Sequence, residues 1–198
     1  PARAAEFLQE KTGAHRRLIF EEFFWLELYL AARKAGLKKE KGPKMGAPGE
    51  LTSQLRKSLP FQLTGAQERV LKEIYQDLSC ERPMNRLVQG DVGSGKTMVA
   101  LLSALLAVEN QFQTALMAPT EILAEQHFRN AKNLLEPLGL KVGLLVGKTK
   151  TAERKELLAE LSAGQIHILI GTHALIEDPV QFQRLGLVII DEQHRFGV

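Results

Sequence analysis

The chain has 198 residues, which suits one domain with an appendage. At 44% hydrophobic and 25% charged it has an ordinary soluble globular composition, and its apolar runs are far too short to span a bilayer. The single cysteine, Cys80, excludes an internal disulfide and fits a reducing, cytoplasmic compartment. The chain opens on Pro1 and stops at Val198, straight after a motif, and so reads as a piece of a longer protein.

Residues 1–36 read as helix, interrupted near Gly13. From Leu18 to Leu30 the apolar residues (Phe20, Phe23, Phe24, Trp25, Leu26, Leu28, Tyr29) point in nearly every direction at 3.6 residues per turn. A helix apolar all round is normally enclosed, either by a domain outside this chain or by the flank of the domain that follows. Residues 37–54 are rich in Gly, Pro and Lys and read as a basic, mobile linker. The net charge of +3 is mild, but its distribution is uneven. Residues 33–57 hold eight Lys/Arg against two Glu, which suits either contact with a phosphate backbone or a solvated linker.

Residues 55–198 read as the main domain. Thr64-Gly65-Ala66-Gln67 has capping-box spacing, so a helix starts at Thr64 with Val70, Leu71, Ile74 and Leu78 on its apolar face. The chain then alternates. Strands are expected near Arg86–Gln89, Thr114–Ala118, Lys141–Val146, Ile166–Ile170 and Leu187–Asp191. Helices are expected over Lys96–Val108, Glu121–Leu135 and Ala152–Ser162, with Gly139 and Gly164 ending the last two. Runs such as Leu187-Val188-Ile189-Ile190 do not alternate, which implies strands buried on both faces. The whole reads as a doubly wound α/β domain with a mostly parallel sheet covered by helices. Its ligands belong at the carboxyl ends of the strands.

Gly90-Asp91-Val92-Gly93-Ser94-Gly95-Lys96-Thr97 fits the phosphate-loop pattern G-x-x-x-x-G-K-[ST] at every fixed position. Glycines let backbone N–H groups curl around an anion, and the following helix aims its positive end at it. Lys96 can reach the β- and γ-phosphates, and the Thr97 hydroxyl can bind Mg²⁺. Gly147-Lys148-Thr149 imitates the end of this pattern, but Val142 stands where the first glycine belongs, so it reads as an ordinary loop. Asp191 and Glu192 follow a hydrophobic strand, which is where a phosphate-loop enzyme holds Mg²⁺ and activates water. Together the two motifs point to hydrolysis of a nucleoside triphosphate.

With Gln193 and His194 the second motif reads DEQH, and the pair resembles a superfamily 2 helicase motor. The longer strings GDVGSGKT and DEQHRFGV are similar to the bacterial RecG family of ATP-dependent DNA helicases. So are residues 59–67, Ala118–His127 and Gly171–Leu175. The resemblance is close over residues 55–198. It implies a RecA-like first motor domain, with residues 1–36 joining a wedge domain and a second motor domain lying elsewhere. It implies ATP and Mg²⁺ as cofactors and branched double-stranded DNA (stalled forks, Holliday junctions) as partner, in repair and recombination. Residue by residue, it implies that Gln67 reads the adenine and that Lys96, Asp191 and Glu192 are catalytic. His194 would couple nucleotide to DNA. Pro119, Thr120, Gln126, Gly171, Thr172 and His173 would contact the DNA backbone, although Thr120 also suits a plain helix cap. Two other readings are a transcription-repair coupling translocase and a non-enzymatic docking module. Gln193-His194 speaks against the first, and the intact Lys96, Thr97, Asp191 and Glu192 against the second.

Overall fold

A computed structural model describes residues 12–37 and 41–195. Four strands, β1 (Gln113–Met117), β2 (Val142–Leu145), β3 (Ile168–Gly171) and β4 (Leu185–Ile190), pair in parallel in the order β2-β3-β1-β4. The helices are α1 (Gly13–Leu37), α2 (Glu50–Ser58), α3 (Gly65–Leu78), α4 (Lys96–Glu109), α5 (Glu121–Leu135) and α6 (Thr151–Ser162). The expected α/β domain with a parallel sheet is present. Every residue of β1 and β3 is buried, as strands covered on both faces must be.

Local chemistry sets the helix ends. Thr64 caps α3 in the expected capping box, its hydroxyl accepting from Gln67 N while the Gln67 side chain accepts from Thr64 N. Gly139 and Gly164 close their segments in the left-handed conformation, at φ 77° and 74°. The main core packs α3, α4 and α5 on one sheet face. A smaller cluster around Leu145, Leu161, Ile166 and Leu169 lies under α6.

Two expectations need correction. Arg86–Gln89 joins no ladder among the described residues. With only two apolar residues in four it has little to bury, and Leu87 is 68% exposed. The segment is anchored instead through the Arg86 guanidinium, bonded to Asp77 (2.7 Å) and Glu73 (2.5 Å) on α3. Second, β4 is not buried on both faces. Among the described residues it is an edge strand: Leu187 is buried, while Val188 and Ile190 on the opposite face are exposed. Its apolar run is real, but the helices cover only one side of it. Of the two coverings open to α1, the flank of the domain is not the one seen among the described residues. Its large apolar side chains from Leu18 to Leu30 are exposed.

Residues 41–49 form neither helix nor strand, as their Gly and Pro content requires, yet they are docked. Met45 is buried, its N–H donates to Leu78 O, and Gly46 N–H donates to the Asn110 side chain. α2 then starts at Glu50 under a borrowed cap. The Glu109 carboxylate, at the end of α4, accepts from the N–H groups of Gly49 and Thr52 and from the Thr52 hydroxyl.

Gln113 ties the amino ends of the strands together. Its buried carboxamide donates to Leu161 O (2.9 Å) and Ile166 O (2.8 Å) and accepts from Arg184 N (2.9 Å). Gln113→Leu leaves three backbone groups without this partner. The substitution is expected to lower stability by about 3 kcal/mol. That corresponds to a fall of about 10 °C in melting temperature for a chain of this size. Circular dichroism on heating measures it, and an unchanged midpoint refutes the assignment.

Candidate functional site

The Gly90–Thr97 loop turns the chain into α4. Gly93 and Gly95 sit at φ 82° and 80°, in the left-handed region that other residues avoid. The turn is closed by Ser94 N donating to Asp91 O, and a Cβ on Gly90 would come within 2.7 Å of the Ser94 hydroxyl. α4 begins without a side-chain cap and with no acid in its first turn, unlike α3 and α5, which threonines cap. Its leading N–H groups and the positive end of its dipole therefore suit an anion. The Lys96 ammonium folds back over the loop, donating to Gly90 O (2.7 Å) and Asp91 O (2.9 Å).

Gln67 works at both ends of its carboxamide. The oxygen completes the cap of α3, and the nitrogen donates to Ser94 O at 2.9 Å. The residue thus braces the loop against α3. A Cβ on Gly95 would run into this nitrogen.

A parallel sheet brings the carboxyl ends of its strands to one edge, with neighbours about 5 Å apart. Along this edge the order is β2, β3, β1, β4. Two bonds carry the alignment past the strand ends: Ala118 N donates to Gly171 O, and Asp191 N to Met117 O. Pro119-Thr120, Gly171-Thr172-His173 and Asp191-Glu192 are therefore neighbours. The Thr120 hydroxyl accepts from Leu123 N, so it does cap α5. Gly171 has no room for a Cβ, which would strike Leu145 O. His173 and Gln126 are exposed. Glu192 adopts φ 51°, an unusual conformation for a residue with a Cβ, costing on the order of 1 kcal/mol. Arg195 holds it there: its N–H donates to Glu192 O, and its Nε lies 3.7 Å from the carboxylate. His194 lies in the 3₁₀ turn Gln193–Arg195, and its side chain is outside the described residues.

One residue to which the sequence reading gave no role stands at this edge. His127 Nε2 lies 2.7 Å from Asp191 Oδ2. The available signal was its place in the buried stripe of α5, near Ala124, Ala131 and Leu135 at helical spacing, where a polar ring needs a partner. The decoy Gly147-Lys148-Thr149 is an ordinary loop, as expected. The Thr149 hydroxyl accepts from Val146 N, and Lys148 pairs with Glu125, holding that carboxyl below its usual range. A cavity of about 430 Å³ opens at the other end of the sheet, near Glu109, His167 and Arg184, away from Asp191.

The sequence pattern of the DEAD/DEAH box helicases matches residues 64–198, which include the phosphate loop and the Asp191-Glu192 edge. The chain belongs to the DEAD/DEAH box helicase family. Within it the similarity is to RecG. The chain is 55% identical over 186 residues to the ATP-dependent DNA helicase RecG of Synechocystis, covering 93% of this chain and 22% of that protein. The RecG of Escherichia coli K12 is 50% identical over 191 residues, covering 95% and 28%. The chain thus spans about a quarter of the length of the curated relatives it matches. A solved RecG bound to a three-way DNA junction superposes with a TM-score of 0.85 at 48% identity, covering 94% of this chain and 26% of that one. A hypothetical ATP-dependent RNA helicase from Sulfolobus tokodaii shares the fold, with a TM-score of 0.58 at 20% identity over 74% of this chain and 42% of the other. The described α/β domain is RecG-like. No helix among the described residues is long and apolar enough to cross a membrane.

Gly95→Ala tests how the helicase loop is held. A side chain at positive φ is expected to lower stability by about 1–2 kcal/mol. The added methyl also displaces the Gln67 carboxamide, so Gln67→Ala should cost less in the Gly95→Ala background than in the parent. Urea denaturation of the four chains measures both effects, and strict additivity excludes the brace.

Proposed function

We propose that this chain is the first, nucleotide-binding motor domain of a RecG-like ATP-dependent DNA helicase or translocase. The observation that carries this is the uncapped start of α4 behind the left-handed glycines Gly93 and Gly95, with Lys96 held over the same loop. The loop fits ATP: its N–H groups and ammonium suit the phosphates, which would take Lys96 from two neutral carbonyls. The Thr97 hydroxyl and Asp191 carboxylate are hard oxygen donors suited to Mg²⁺. Bound ATP–Mg²⁺ supplies the phosphoryl group and the divalent charge. Lys96 stabilises the phosphates, Asp191 holds the ion, and Glu192 orients and deprotonates the attacking water. Gly90, Asp91, Val92, Gly93, Ser94 and Gly95 line the phosphates, and Gln67 reads the adenine by giving up one of its present bonds.

Pro119, Thr120, Gln126, Gly171, Thr172 and His173 form the nucleic-acid side of the domain. The position of Pro119, Thr120, Gly171, Thr172 and His173 beside Asp191 at one sheet edge supports this, because a helix start and loop N–H groups suit backbone phosphates. His194, two residues after Glu192 in the chain, couples the two sides. In the intact protein the partner is branched double-stranded DNA at forks and Holliday junctions, and the setting is cytoplasmic repair and recombination. Residues 55–198 form the motor, 37–54 the basic joint, and 1–36 the connection towards a wedge domain. A second motor domain completes the catalytic cleft, so this chain alone binds ATP–Mg²⁺ weakly and hydrolyses it poorly. The relatives described above are RecG proteins, which favours this reading over a coupling translocase.

A fluorescent ATP analogue titrated with Mg²⁺ against the chain and its Lys96→Ala variant tests the proposal. Saturable binding is expected, weakened about 10- to 100-fold by loss of a charge-assisted contact. Equal binding by both chains, or strong DNA-stimulated turnover by the isolated chain, overturns it.

A further inference from the structure

His127 sits two turns into α5, on the face that packs against the sheet. Its side chain is 11% exposed. Burying an imidazole is unfavourable unless its polar atoms are satisfied. Here Nε2 meets Asp191 Oδ2 at 2.7 Å, while Nδ1 is buried and has no hydrogen-bond partner among the described residues. The asymmetry selects the tautomer. An ionised carboxylate can only accept, so the proton is on Nε2. The other neutral tautomer would aim a lone pair at the carboxylate and bury an N–H without an acceptor.

The bond is not needed to hold the backbone. Asp191 N already donates to Met117 O, and α5 is already anchored by the Thr120 cap and by Ala124, Ala131 and Leu135. A leucine would fill the same stripe without burying a polar ring. What the imidazole adds is the orientation of one carboxylate, that of the residue assigned above to the metal ion.

We propose that His127 is a positioning residue for Asp191: its Nε2–H fixes one carboxylate oxygen and so sets the direction in which the carboxylate meets a divalent cation. The inference rests on the proposed role of Asp191. It also joins α5, whose N-cap is Thr120, to the nucleotide side by a direct hydrogen bond.

The experiment uses the whole chain with His127→Leu, His127→Gln and Asp191→Asn. Gln keeps an N–H at the distance of Nε2, whereas Leu keeps only bulk. Long-range ¹H–¹⁵N spectra of the histidine rings should show the His127 proton on Nε2, and Asp191→Asn should shift that signal. A proton on Nδ1, or a signal blind to Asp191→Asn, overturns the inference whatever the nucleotide does. The second readout is the Mg²⁺ concentration giving half-maximal binding of the fluorescent ATP analogue. Partners that orient a metal ligand are typically worth about 10- to 100-fold in metal affinity, and His127→Leu should raise the midpoint by about tenfold. Binding without Mg²⁺ should be unchanged, and His127→Gln should recover most of the loss. Equal losses in Leu and Gln, or none in Leu, overturn the positioning role. If the parent chain binds the analogue with no Mg²⁺ dependence, the assignment of Asp191 fails and the inference with it, even where the ring spectra show the bond.

Discussion

The enclosure of α4 is the constraint on which the other elements depend. Nine of its fourteen residues are buried, and Leu101, Leu102, Leu105 and Leu106 lose essentially all contact with water. Each fully buried leucine is worth about 1.5–3 kcal/mol. The helix is therefore stable only where packing surrounds it. The sheet, α3 and α2 supply those surroundings. Its two ends do different work as a result. The start is left without a side-chain cap and faces the phosphate loop, while the last residue, Glu109, lends its carboxylate to α2. An acid there opposes the helix dipole, and the bonds to the start of α2 offset it.

The strand-end edge shows how a parallel sheet gathers residues distant in sequence. Thr120, Thr172 and Asp191 come from three separate connections, and the order β3-β1-β4 makes them neighbours. The site groups already hold protein partners: Lys96 two carbonyls, Gln67 a cap and a loop carbonyl, Asp191 the His127 ring. Under the proposed function a nucleotide would exchange the Lys96 and Gln67 bonds for its own, while the His127 bond stays to orient Asp191.

Legibility in the sequence followed the range of the interaction. The Thr64–Gln67 capping box, the left-handed glycines of the phosphate loop and the start of α5 are set within a few residues, and they stand where the pattern put them. Buried strands β1 and β3 carried a plain apolar signal as well. Arg86–Gln89 misled because a strand is made by its ladder partner, which four residues do not reveal. β4 misled because Val188 and Ile190 read as buried when only one face of the strand is covered. His127 was invisible as a site residue because its partner lies 64 positions away, although a histidine in a buried stripe was the clue. The roles of Gln67 and Thr120 at the ligand came from resemblance. Their capping geometry came from the residues.

The open side of β4 governs how this domain behaves in company. Its outer backbone groups lie at the edge of the sheet, and Leu185, Val188 and Ile190 are exposed beside them. An uncovered hydrophobic edge strand is a template for another strand. Among the described residues, β4 thus leaves one line of the sheet open to a further strand. Whatever lies along β4 in a larger assembly acts as much to keep the sheet from polymerising as to extend it.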